Sequence, residues 1–165
     1  MLRKYEYYKN YRKSNLWKPY IEYLHFRVAS SGDKLHFEIP PNVFGPGLGI
    51  WHKGTIVVDP KLRVGENCQL PAGLYIGSQA TGTNDEISII GKNEYIGPFT
   101  VIAGKITIAD NIAIGSHSYV ARSFPEEGIT IAGAPAKKVS DKGSEGLCSY
   151  QRATEIVKKL DDHQP

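Results

Sequence analysis

The chain has five histidines: His25, His36, His52, His117 and His163. Imidazole titrates near neutral pH, so it is the side chain best suited to take a proton from a hydroxyl or to ligate zinc. A three-histidine zinc centre needs the rings to converge from adjacent faces of a scaffold. Two cysteines, Cys68 and Cys148, stand in no metal-ligand spacing and are too few for a disulfide framework, which points to a reducing compartment. His52 is set in the glycine-rich run "GPGLGIWHKG", and His117 in a strongly periodic stretch. His25 and His36 lie before that stretch and His163 in the tail.

The periodic stretch must supply the framework. From Ile90 to Arg122 an aliphatic residue recurs every six positions, at Ile90, Ile96, Ile102, Ile108, Ile114 and Val120. Each is followed by Gly or Ala: Gly91, Gly97, Ala103, Ala109, Gly115 and Ala121. Six is not a helical period. It suits a coil with three short strands per turn, stacked as a prism with the aliphatic residues inside. The small residue is expected to turn the corner, assisted by Pro98 and by the Asn of "KN" and "DN". The register extends upstream through Phe44, Ile50 and Ile56 and through Val64, Leu70 and Ile76. Two extra residues interrupt it between Ile56 and Val64, and two more between Ile76 and Ile90, within "GSQATGTNDEIS". The position four after each stacked aliphatic should also face inward. Thr100, Ile106, Ile112 and Ser118 fit there, whereas Glu94 requires either buried partners or a local distortion.

From about Glu38 to Val139 the chain resembles the left-handed parallel β-helix of hexapeptide-repeat acyltransferases. Two segments carry the resemblance: "GPGLGIWHKGTIVVDPKLRVGENC" and "SFPEEGITIAGAPAKKV". Both are similar to motifs of the serine acetyltransferase group, which includes short relatives that O-acetylate capsular and other surface saccharides. The resemblance implies an all-β fold flanked by short N- and C-terminal helical segments. It also implies acetyl-CoA as acetyl donor, no metal, and a homotrimer with active sites between subunits. His52 falls on the family's catalytic histidine, the general base that would deprotonate the acceptor hydroxyl. Pro98 and Ser116 match corner residues along the pantetheine arm, the pair Ala121 and Arg122 matches a further contact, and Lys137 suits a phosphate of the CoA head.

Departures from the serine acetyltransferase pattern bear on the acceptor. Trp51 stands where that family has an aspartate before the catalytic histidine, and "TNDEISI" lacks its Arg-His pair. If a carboxylate orients the imidazole, Glu38 or Asp59 is left to supply it. A pocket for a small zwitterion needs placed charges, whereas an indole offers a flat face for a sugar ring. The expected acceptor is therefore a sugar or surface glycan hydroxyl. Serine O-acetylation and a catalytically silent scaffold are the alternatives. A γ-carbonic-anhydrase-type metal enzyme is disfavoured because only His52 and His117 lie within the repeat.

The remaining sequence divides into residues 1–37, a helical segment rich in basic and aromatic residues, and 140–165, a linker "DKGSEG" with an amphipathic helix over Ser149 to Asp162. Between them, residues 38–139 form the coil. Residues 1–27 hold six tyrosines and seven Lys or Arg against two Glu, with Pro19 dividing any helix. Such a stretch is expected to pack its aromatic side on the domain and leave its charges in solvent, with weak peripheral contact with an anionic membrane as the alternative. A net charge of +3 is too mild to argue for nucleic acid. Without an apolar run of membrane-spanning length or an apolar signal core, a cytoplasmic protein is expected.

Overall fold

The computed structural model describes residues 1–77 and 88–148. The six-residue period becomes a parallel β-helix with three faces. The first face stacks Phe37–Glu38, Ile56–Val58, Leu74–Gly77, Val101–Ala103 and Tyr119–Val120. The second stacks Arg63–Val64, Ile89–Ile90 and Thr107–Ile108, continued by bridges to Phe44 and Phe124. The third stacks Gly49–Ile50, Gln69–Leu70, Tyr95–Ile96, Ala113–Ile114 and Thr130–Ala132, closed by antiparallel Lys137–Ser140. Aliphatic residues fill the prism in columns, such as Val58, Ile76, Ile102 and Val120 on the first face. No turn can bury its apolar side alone, so each coil is held by the next.

The small residue after each aliphatic serves a purpose other than the expected one. A Cβ on Gly65 would lie 2.7 Å from the backbone of Gly91 and Lys92, and one on Gly97 2.5 Å from the Ser116 nitrogen. The next coil lies directly over these positions, so size is the constraint. The turn itself is made two residues later, in the left-handed region: Asn67, Asn93 and Asn111 have φ of 58°, 58° and 62°. Asparagine tolerates this conformation better than most residues. These three also form a ladder, with Asn67 Nδ2 donating to Asn93 Oδ1 at 3.0 Å and Asn93 Nδ2 to Asn111 Oδ1 at 2.9 Å. On the edge between the third and first faces, Phe99 and His117 take the same role, at φ 57° and 56°, with rings stacked 5.1 Å apart.

Two register expectations are corrected. Ile56 pairs with Leu74, and Val58 pairs with Ile76, so Val58 is the stacked residue. The two extra residues therefore lie between Ile50 and Ile56, in the corner that carries His52. Ile76 and Ile90 occupy successive faces, a step that takes six residues between Ile102 and Ile108 but fourteen here. The excess is eight residues; most of this insertion lies outside the described residues.

Ahead of the coil stand two helices, α1 (Leu2–Tyr11) and α2 (Lys18–Leu35). The chain breaks at Arg12–Trp17, and Pro19 sits in the first turn of α2, where its missing N–H costs nothing. His36, at φ 60°, ends α2 and leads into the first face. His25 stacks on Tyr5 at 5.4 Å. The stretch 141–146 is a packed strap instead of a free linker: Ser144 is buried, its N–H donates to Asn111 O at 3.0 Å, and its hydroxyl donates to Asn93 O. The amphipathic helix expected at 149–162 lies outside the described residues.

Candidate active site

The corner Trp51–Thr55 has five residues where the stacked corner Pro71–Gly73 has three. Thr55 O seats the bulge by accepting from Gly73 N at 2.8 Å and Leu74 N at 3.1 Å. Much of the surrounding glycine motif is accounted for by packing. Gly47, at φ 78°, lies under the Asn67 side chain, and a Cβ on Gly49 would meet the Gln69 amide at 2.6 Å. Trp51, His52, Lys53 and Thr55 are exposed to solvent at this corner, and Trp51 and His52 are the two that face a cleft.

Both line a cleft of about 230 Å³ with Gln69, Leu70, Pro71, Tyr95, Ile96, Pro98 and Leu147. The Trp51 indole N–H donates to Gln69 Oε1, which fixes the ring as one wall while leaving it 49% exposed. Gln69 holds an outward strand position, yet it is buried. Alternation of the strand gives no hint of this; the only signal is the vacancy at Gly49 one coil away. Leu147 reaches the cleft from the strap after the coil, another contribution that the repeat did not reveal.

Pro98 lies in the cleft and Ser116 one coil further along the same edge, where His117 N donates to Pro98 O at 2.9 Å. Ala121 and Arg122 are exposed on a different edge, beyond the first face, with the Arg122 guanidinium 5.0 Å above the Phe124 ring. Lys137 is exposed at the start of the closing strand, paired with Ala132. Its neighbour Lys138 is engaged by Glu126 and Asp141. The structure thus brings His52, Pro98 and Ser116 onto one edge and sets Ala121 and Arg122 apart from it.

Neither carboxylate considered for orienting His52 lines this cleft. Asp59 Oδ1 accepts from Lys61 N at 2.8 Å, in a corner at the far end of strand Ile56–Val58. Glu38 lies beside Val57 and lines a separate pocket under α2. Among the described residues, no three His, Cys, Asp or Glu side chains are grouped to hold a metal ion.

Glu94 is fully buried at its inward position. One oxygen accepts from Ile112 N at 3.3 Å, while the other has no partner among the described residues. Burial pushes its pKa up to about 9, so the carboxyl is neutral at pH 7. Both thiols are also raised, first by burial and then by Glu94, which makes them poor nucleophiles.

No family model matches the chain. It is 27% identical over 119 residues to the serine acetyltransferase of Synechococcus elongatus, covering 72% of this chain and 47% of that protein. It is 31% identical over 107 residues to that of Staphylococcus xylosus, covering 64% and 49%. The chain thus spans about half the length of the curated relatives it matches. Among solved structures, the serine acetyltransferase of Brucella abortus strain S19 in complex with coenzyme A superposes with a TM-score of 0.70 at 22% identity, covering 90% of this chain and 55% of that one. Fold and sequence relatives agree: the chain folds as the left-handed β-helix of hexapeptide repeats and is similar in sequence to serine acetyltransferases.

Proposed function

We propose that the chain is an acetyl-CoA-dependent O-acetyltransferase with His52 as general base. The observation that carries this is the bulged corner, which presents the imidazole to a cleft continuous with the Pro98–Ser116 edge. In the reaction, His52 takes the proton of the acceptor hydroxyl as its oxygen attacks the thioester carbonyl. The C–S bond then breaks, and the CoA sulfur leaves and receives a proton. Pro98 and Ser116 would flank the pantetheine arm and Lys137 would meet a phosphate. Arg122, on another edge, would reach the same donor only where a neighbouring coil completes the groove. We therefore propose a homotrimer, whose C3 ring closes a heterologous contact.

The names of the relatives put L-serine first among acceptors. A saccharide hydroxyl is the second reading, carried by the half-exposed Trp51 ring held beside His52 by Gln69. The sequence adds that the Arg-His pair of the serine acetyltransferase loop is missing from "TNDEISI". Thioester cleavage measured with serine and with a panel of sugars separates the two. Acetyltransferase activity that falls by about 10²–10⁴ in His52→Ala, at little-changed CoA affinity, is the expected result. A loss below tenfold would move the base elsewhere. No acceptor-dependent cleavage at all would leave a silent scaffold.

A further inference from the structure

The helical hairpin at the start of the chain is fixed at its root and bare at its tip. At the root, Glu6 is buried, accepting from Arg3 at 2.9 Å and from Asn42 N at 2.7 Å. Arg3 also donates to Phe44 O at 2.8 Å, while Tyr5 and Leu24 are buried. These contacts lock α1 and α2 onto the first coil. At the tip, every residue from Tyr11 to Pro19 is exposed.

Leu16, at the apex, is 88% exposed, and Tyr11 is 73% exposed. The apex is nevertheless ordered: Asn15–Trp17 form a 3-10 turn whose cap, Ser14 Oγ, accepts from Leu16 N at 3.4 Å. Trp17 packs on Tyr8 at 5.2 Å, with the Arg12 guanidinium 5.5 Å above its ring. Lys9, Arg12, Lys13 and Lys18 surround the apex, and no Asp or Glu occurs between Glu6 and Glu22.

We propose that this tip docks on an anionic lipid surface. Leu16 and Trp17 would enter the headgroup layer while Arg12, Lys13 and Lys18 pair with anionic headgroups. An apolar apex ringed by cations, with Trp and Tyr at the boundary, suits the zone where hydrocarbon meets charge. A soluble polyanion would engage the cations and leave Leu16 in water. The contact is small and electrostatic, so it is reversible and sensitive to salt. It stands independently of the acetyltransferase reading.

The test is co-sedimentation of the full chain with vesicles of phosphatidylcholine containing one third phosphatidylglycerol, against phosphatidylcholine alone. A Trp51→Phe background leaves Trp17 as the only indole. We expect at least tenfold tighter binding to the anionic vesicles, a blue shift of Trp17 emission, and release at high salt. Leu16→Ser with Trp17→Ser, and separately Arg12→Glu with Lys13→Glu, should each weaken binding at least tenfold. Equal binding to both vesicle types, or binding that either pair leaves unchanged, would overturn the proposal. So would sedimentation without lipid in which Leu16→Ser with Trp17→Ser dissociates an assembly, since the tip would then serve a second copy.

Discussion

Replacing Glu94 by Gln should change how the stability of the coil depends on pH. Below pH 4.5 the carboxyl is protonated in both the folded and unfolded chain. Between its ordinary value of 4.5 and a folded value of about 9, the unfolded chain releases the proton and the folded chain keeps it. The folded state binds more protons across that window, so stability falls as pH rises. Each unit is worth about 1.4 kcal/mol, which makes the loss roughly 3 kcal/mol by pH 7. For a domain whose net stability is about 5–15 kcal/mol, that is a large share. The low-dielectric surroundings are the cause: Cys68, Ile112 and Cys148 are buried beside the carboxyl, and among the described residues only the Ile112 N–H reaches it.

Urea unfolding at fixed protein concentration, at pH 5, 6, 7 and 8, tests this in both proteins. Any fixed packing cost of the Gln amide shifts the variant's curve uniformly and leaves its slope intact. The difference between variant and wild type should therefore grow in the variant's favour by about 1.4 kcal/mol per pH unit. A difference constant across that range would refute the reasoning, because Glu94 would then carry its charge in the folded protein.

Other expected outcomes follow from the coil geometry. Gly65→Ala places a Cβ 2.7 Å from the backbone of the next coil. Urea midpoints should show a loss of about 1–3 kcal/mol from overpacking, even though φ at this position is ordinary. Deleting Lys53 and Gly54 would give the His52 corner three residues, like Pro71–Gly73. The β-sheet circular dichroism should persist while acetyl transfer falls as far as in His52→Ala; retained turnover would detach the bulge from catalysis.

The faces of the coil were legible because a stacked turn imposes its own period on the aliphatic residues. The register before Val64 was misread for a related reason. Two inward positions lie two residues apart in each step, and at Ile56 and Val58, as at Leu74 and Ile76 or Ile112 and Ile114, both are filled with aliphatic side chains. A slip of two therefore exchanges Ile56 for Val58 without exposing anything apolar. A period of six equally cannot tell two inserted residues from eight, which is how the step from Ile76 to Ile90 was undercounted. His52 stands out through its motif, and the structure places it in the cleft, whereas Gln69 was hidden by the strand's alternation. Its amide oxygen accepts from Trp51, eighteen residues away in sequence and one coil away in space.

Much of the corner geometry is committed to stacking. Glycines make room for the next coil, asparagines turn and bond to each other, and Phe99 and His117 stack ring on ring. A side chain that must meet a reacting hydroxyl needs reach beyond this regular outline. The two extra residues at Trp51–Thr55 give that reach, and Thr55 ties the end of the bulge to the next coil. Gln69 then holds the indole against the strand so that the exposed corner keeps a defined wall. Under the proposed function, a rigid coil bulged at this corner would aim an imidazole at a groove with few supporting residues. Acceptor choice, under that same proposal, would reside in the bulge and in what lies over Gln69, and the repeat would keep the Pro98–Ser116 edge straight beside it.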